Sequence, residues 1–141
     1  MIVLGIAIGK NKVFYSVIDG ESKENCTIKN KGVINFQCES KTLMTDFSNI
    51  FNELISKFQP NSIGYKLFLD SKKEQIKYMV YSFGVLELIC EGKNIKTTGR
   101  TINWIKSSKK KKISAYMSKF GNCRETPELY ASVIAWNEFG E

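Results

Sequence analysis

The first eighteen residues constrain the fold more than any other stretch. Ile2, Val3, Leu4, Ile6, Ala7 and Ile8 form a nearly unbroken apolar run, Gly9-Lys10-Asn11-Lys12 interrupts it, and Val13, Phe14, Tyr15, Val17 and Ile18 resume it. Two β-branched runs around a turn predict a hairpin. A strand with apolar residues at consecutive rather than alternate positions suits the middle of a sheet covered on both faces. Everything later in the chain must therefore supply that cover.

The rest of the sequence reads in order from that hairpin. Cys26 to Gln37 carries Ile28, Val33, Ile34 and Phe36, enough for a third antiparallel strand with a weak point at Asn30-Lys31-Gly32. Leu43, Phe47, Ile50, Phe51, Leu54, Ile55 and Phe58 recur at spacings of three and four, which predicts an amphipathic helix with Ser40 as its N-cap and Pro60 beyond its end. Ser62 to Leu69 has strand length, and reaching it through a helix predicts a crossover and parallel pairing. Lys73 to Cys90 returns to helical period, with Gly84 expected at a close backbone contact and Gly92 as C-cap. Asn94 to Thr98 is a short polar strand suited to a sheet edge. Short helices are expected at Thr101 to Lys106 and Ile113 to Phe120. Thr126-Pro127 then opens a last helix, with Leu129, Val133, Ile134, Trp136 and Phe139 toward the core. The predicted order is βββαβαβ followed by helices.

Composition narrows the chemistry. The length of 141 residues predicts one domain over 1–141 with a substantial core. No apolar run approaches the roughly 18 residues of a membrane span, and no leader is apparent, so a cytoplasmic protein is expected. There is no histidine, which within this chain removes Ser/His and Cys/His hydrolysis and any cysteine–histidine zinc site. Four scattered cysteines without a C-x-x-C pair predict reduced thiols. No cofactor motif is present.

Charge is the remaining signal. The net charge is +7, yet Lys93 to Arg124 alone holds ten basic residues and no acidic one. A block of this kind points to a polyanionic partner; a solvated lysine-rich loop is the plain alternative.

Three stretches carry a family resemblance: Val3-Leu4-Gly5-Ile6-Ala7-Ile8-Gly9, Ser62-Ile63-Gly64-Tyr65-Lys66, and Lys109 to Asn137. In this order they resemble the RuvC-like Holliday junction resolvases, their viral relatives and small bacterial RuvC-like proteins. The resemblance implies an α/β, ribonuclease H-like fold across the whole chain: a mixed five-stranded sheet, three antiparallel strands then two parallel, flanked by helices. It also implies carboxylates on the first strand, the fourth strand and the terminal helix that converge on divalent metal. This sequence departs there. Ala7 stands at the first-strand position, and the fourth-strand position falls on Gly64 or Tyr65. Glu125 and Glu128 lie near the acidic pair of the terminal helix, where helix-end stabilisation is the preferred explanation over a residual metal site; Asp19 and Asp70 read as turn formers.

The expectation is therefore a catalytically degenerate RuvC-like protein, a pseudoenzyme with no catalytic and no metal-binding residues, that binds nucleic acid. Structured DNA is the expected partner, held through Arg100, Lys106, Lys109, Lys110, Lys111, Lys112, Lys119 and Arg124 by phosphate neutralisation. Trp104 and Tyr116 are read either as base-stacking groups or as packing. Two alternatives stand beside it: a Mg/Mn-dependent endonuclease with a rearranged site using Glu125, Glu128 and Asp70 or Glu74, and a protein-interaction module. The apolar breadth of the helix Lys73 to Cys90, with Tyr78, Tyr81, Val85 and Leu88 beside its main stripe, predicts either deep burial or a homodimer surface.

Overall fold

The computed structural model describes residues 1–67, 73–107 and 111–140, over 73–79 by the backbone alone. Five strands, β1 (Ile2–Gly9), β2 (Lys12–Gly20), β3 (Cys26–Asn35), β4 (Ser62–Lys66) and β5 (Lys96–Arg100), form one sheet in the order β3-β2-β1-β4-β5. β1, β2 and β3 are antiparallel, and β4 and β5 add in parallel. The crossovers run through α1 (Leu43–Phe58) and α2 (Lys73–Lys93); α3 (Ile102–Ile105), α4 (Lys112–Phe120) and α5 (Pro127–Asn137) follow β5.

The unbroken apolar run of β1 is explained by its position at the centre of the sheet. Leu4, Ile6 and Ile8 face the α1 side, with Phe47, Phe51, Leu54, Ile63 and Leu86. Val3 faces the other layer, with Ile18, Ile105, Tyr116, Val133 and Ile134. Successive side chains alternate between faces, so each face of β1 has its own core and neither can be polar. Gly5 lies under α5, where a Cβ would come within 1.9 Å of the Ala131 carbonyl oxygen.

Several local boundaries differ from the sequence pattern for identifiable reasons. Thr42, not Ser40, is the N-cap of α1. The Ser40 hydroxyl instead accepts the Thr42 amide at 3.1 Å, and Thr42 Oγ1 donates to Asp46. The strand irregularity in β3 falls beside Val17/Ile18, where Lys29 is the extra residue, and not at Asn30 to Gly32. α2 continues through Gly92; left-handed Asn94, at φ 56°, turns the chain into β5. β4 ends at Lys66, and residues 68 and 69 of the expected strand lie outside the described residues. Among the described residues Gly84 meets no other group where a Cβ would stand, so they supply no close contact of the kind expected.

α5 departs most. Its Thr126 cap and first-turn proline are as predicted, with Thr126 Oγ1 accepting the Leu129 amide. Yet every residue from Leu129 to Asn137 is buried, not one side only. The helix crosses β1, β2 and β4, and the β2–β3 turn closes over its far end. There Lys23 donates to Asn137 Oδ1 at 2.7 Å, and the Lys23 carbonyl accepts from Trp136 Nε1 at 3.0 Å.

On the α1/α2 side, a carboxylate ties α2 to the sheet. Glu87 accepts from Tyr65 Oη at 2.6 Å and from Thr97 Oγ1 at 2.7 Å. Cys90 is buried beside it, and all four cysteines are free thiols. Burial, with the Glu87 carboxylate adding to it, pushes the Cys90 thiol from 9.0 up to about 11. The folded state thus holds that proton more tightly than the unfolded chain. Its contribution is intact below about pH 9 and is lost as pH rises through about 11, at about 1.4 kcal/mol per pH unit inside that window. Urea denaturation between pH 8 and about 11 is expected to show this fall, and Cys90→Ala is expected to flatten it; an unchanged slope in the variant refutes the assignment. Among the described residues no helix is long and apolar enough to cross a membrane.

Candidate nucleic-acid interface

The basic residues are arranged by two short helices. Thr101 caps α3 by accepting the Trp104 amide at 3.1 Å, which sets the indole beside the end of β5. Arg100 Cζ lies 4.2 Å and Lys112 Nζ 4.3 Å from the Trp104 ring centre, both within cation–π distance. Lys111, in the left-handed conformation at φ 46°, turns the chain into α4. Between α3 and the start of α4 is a cleft of about 680 Å³ whose lining includes Lys106, Ser107, Lys111, Lys112, Ser114 and Glu125.

The expected site residues therefore separate. Lys106, Lys111 and Lys112 line one cleft, with Arg100 close by at Trp104. Lys112 is buried, its ammonium included, and Arg100 pairs with the buried carboxylate of Glu138 at 3.8 Å. Lys119, at the other end of α4, donates to the Glu24 carbonyl at 2.7 Å. Arg124 is exposed between α4 and α5. Lys109 and Lys110 lie outside the described residues. Tyr116 is 1% exposed and packs against Phe120 and Trp136, so it is core and not a base-stacking group. Trp104 is half-buried with its ring already against two cations.

A second group lies at the α5-covered end of β1 and β4. The parallel register pairs Gly5 with Gly64 and Ile6 with Tyr65, so the next residues along the two strands are Ala7 and Lys66. Gly64 faces α5, where a Cβ would meet Ile134 at 2.5 Å, whereas Tyr65 points to the opposite face and Glu87. By alternation Lys66 shares the face of Gly64, and Ala7 that of Gly5. Both are buried. The Lys66 ammonium lies 5.0 Å from the ring centre of Tyr130 on α5. Tyr130 Oη donates to Glu125 Oε1 at 3.0 Å, and the same oxygen is 3.2 Å from Lys106 Nζ.

Burial, and after it the Lys106 ammonium, hold the Lys66 amine below the ordinary lysine value. Burial followed by the Glu125 carboxylate raises the Tyr130 phenol. The hydrogen bond from Lys106, then that from Tyr130, holds the Glu125 carboxyl below its ordinary value. Glu125 is thus no helix cap; Thr126 does the capping, and Glu128 stands in the first turn of α5. Asp70 and the Glu74 side chain lie outside the described residues. Among the described residues no group of three or more His, Cys, Asp or Glu side chains is placed to hold a metal ion.

Lys66 and Tyr130 were not singled out by the sequence. On a strand reading S-I-G-Y-K, only the register against β1 tells which residue stands beside Ala7.

A sheet ordered 3-2-1-4-5, antiparallel then parallel, with the last helix across its centre, is the ribonuclease H-like fold in its RuvC-like form. Solved structures that it resembles are those of Holliday junction enzymes. Thermus thermophilus RuvC in complex with a Holliday junction substrate aligns at a TM-score of 0.73, 13% identity, 96% of this chain and 90% of that one. The yeast mitochondrial Holliday junction resolvase Ydc2 aligns at 0.67 and 16% identity, over 95% of this chain and 75% of its own. The Fowlpox virus resolvase with Holliday junction DNA aligns at 0.61 and 11% identity, over 99% and 97%. No family model matches the sequence, and no curated protein does so.

Proposed function

We propose that this chain is a single RuvC-like domain that binds structured DNA through the basic surface around α3 and α4 and does not cleave it. The observation that carries this reading is the cleft between those helices, where Lys106 and Lys111 gather over the buried Lys112 with two serines and a carboxylate in the lining. Lysines grouped on one surface neutralise adjacent phosphates and release their counterions. Arg124 extends the charge, and the sequence adds lysines at 109 and 110; Arg100, Lys112 and Lys119 act mainly by holding the surface in shape. Two of the similar solved structures contain Holliday junction DNA, which makes a four-way junction the first ligand to test.

Fluorescence anisotropy with labelled four-way junction, duplex and single-stranded DNA and RNA provides that test. Binding at low salt that weakens steeply with added salt is expected, along with no cleavage product in Mg²⁺ or Mn²⁺. Absence of binding to all four at low salt refutes the proposal. Junction cleavage abolished in an E125Q/E128Q variant would establish the rearranged nuclease instead.

Self-association through α2 belongs to the same reading. Of the expected surface residues, Tyr81 and Leu88 are 46% and 71% exposed, joined by Val80 at 49%, whereas Val85 is buried in the core. Tyr81, Gly84 and Leu88 follow at helical spacing, and the bare Gly84 backbone leaves room for a second helix to approach. Sedimentation velocity is expected to show a dimer that Leu88→Glu converts to monomer. A wild-type chain that stays monomeric at about 100 μM, far above the micromolar range of about −8 kcal/mol affinities, rules the dimer out.

A further inference from the structure

We infer that the ammonium of Lys66 takes, as fixed protein charge, the position at which nucleases of this fold hold divalent metal, and that this chain accepts no divalent cation there. The inference goes beyond the proposed binding function and is read without DNA. Metal in this fold is expected where the first strand, the fourth strand and the terminal helix converge. Among the described residues, those that meet there are Ala7 from β1, Lys66 from β4 and Tyr130 from α5.

These residues do not fit a metal. Mg²⁺ requires a near-octahedral set of hard oxygen ligands. Ala7 supplies a methyl group, and Lys66 supplies three N–H donors and no acceptor. The Tyr130 hydroxyl is a neutral phenol whose proton is directed at Glu125 Oε1. That carboxylate oxygen is itself 3.2 Å from the Lys106 ammonium. A divalent ion entering here would face like charge from the Lys66 ammonium, in a site where Lys66 is 8% exposed. Solvent screens such buried repulsion far less than it does at the surface.

The arrangement also explains how a buried lysine is tolerated. An ammonium removed from water requires compensation. The face of Tyr130 supplies part of it at 5.0 Å, and the Glu125 carboxylate beyond that ring supplies negative charge. The phenol thereby connects one ammonium to the carboxylate that pairs with the other. This chain of contacts from β4 through α5 to the end of α3 links the sheet to the basic cleft, because Lys106 and Glu125 both line that cleft.

The test uses Mn²⁺, a paramagnetic ion of Mg²⁺-like chemistry, with the ¹⁵N-labelled chain. Amide signals of Ala7, Lys66 and Tyr130 are expected to keep their intensity in wild type when equimolar Mn²⁺ is added. In A7D/K66E, which places adjacent carboxylates on β1 and β4, the same signals are expected to be selectively lost, and the melting temperature is expected to rise with Mn²⁺. Selective, saturable broadening around these residues in wild type overturns the inference, as does a folded A7D/K66E that is no more sensitive to Mn²⁺ than wild type. If the double variant does not fold, Lys66→Glu alone gives the same reading: new Mn²⁺-dependent broadening supports the inference, and none refutes it. A wild type that binds no DNA leaves these outcomes unaffected.

Discussion

Replacing Lys109, Lys110 and Lys111 together with alanine is expected to weaken binding to a four-way junction by about two to three orders of magnitude near 0.1 M salt. Each lysine that neutralises a phosphate releases about 0.9 counterion, worth close to tenfold in affinity at that concentration. The slope of log K against log salt is accordingly expected to become shallower by up to about 2.7. Lys112 is deliberately spared: its side chain is buried with the ammonium 4.3 Å from the Trp104 ring centre, so removing it disturbs the fold as well as the charge. The loss is expected to be nearly equal for junctions of different sequence, since phosphate contacts carry no base information. A triple variant that retains wild-type affinity and slope places the binding surface elsewhere. Equal melting temperatures for variant and wild type guard against misreading an unfolded protein as a weak binder.

The second large effect is expected at Gly5. A Cβ there would stand 1.9 Å from the Ala131 carbonyl oxygen and 2.9 Å from both the Ala131 carbonyl carbon and Ala135 Cβ. Two of these three atoms belong to the backbone of a buried helix, which cannot move aside as a side chain can. Gly5→Ala must therefore lift α5 from the sheet, at an expected cost of about 3–5 kcal/mol, or a fall of roughly 10–20 °C in melting temperature. Gly64→Ala is the comparison. Its Cβ would meet Ile134 Cγ2 at 2.5 Å, the end of a side chain that can rotate, and its cost is expected to be smaller. Chemical denaturation of the two variants decides it, and a Gly5→Ala protein as stable as Gly64→Ala would refute the close approach of α5 to β1.

The same glycine explains why the sheet topology was legible from sequence. An apolar run without alternation has no polar face to turn to water, so β1 had to be central, and a hairpin followed by helix-linked strands leaves few arrangements open. The α1 stripe and the Thr126-Pro127 start of α5 were equally readable, because periodicity and capping are local. The full burial of α5 was not. Ser132 and Asn137 look like an outer face, but they are 0% and 3% exposed, and at Asn137 the β2–β3 turn closes over the end of the helix through Lys23. No local pattern announces a clamp made by a turn more than a hundred residues away.

The basic block shows the same division. Ten cations without an acid between Lys93 and Arg124 were plain in the sequence, and so was the polyanion they suit. Which of them face a shared cleft was not, because Lys112 turns inward at the first turn of α4 while Lys119 is anchored to the Glu24 carbonyl. Charge counts do not distinguish a lysine that reaches solvent from one that packs on an indole.

By itself, the sequence determined the order of strands and helices along the chain, the central place of β1, the absence of histidine chemistry and the location of the positive charge. These follow from residue type and spacing along the chain. Only the tertiary structure decided which residues stand beside Ala7. A β-strand presents alternate residues to opposite faces, so a shift of one position in register exchanges Tyr65 for Lys66 at that place. The register is set by packing across the sheet, and it puts an ammonium, not a phenol, next to Ala7.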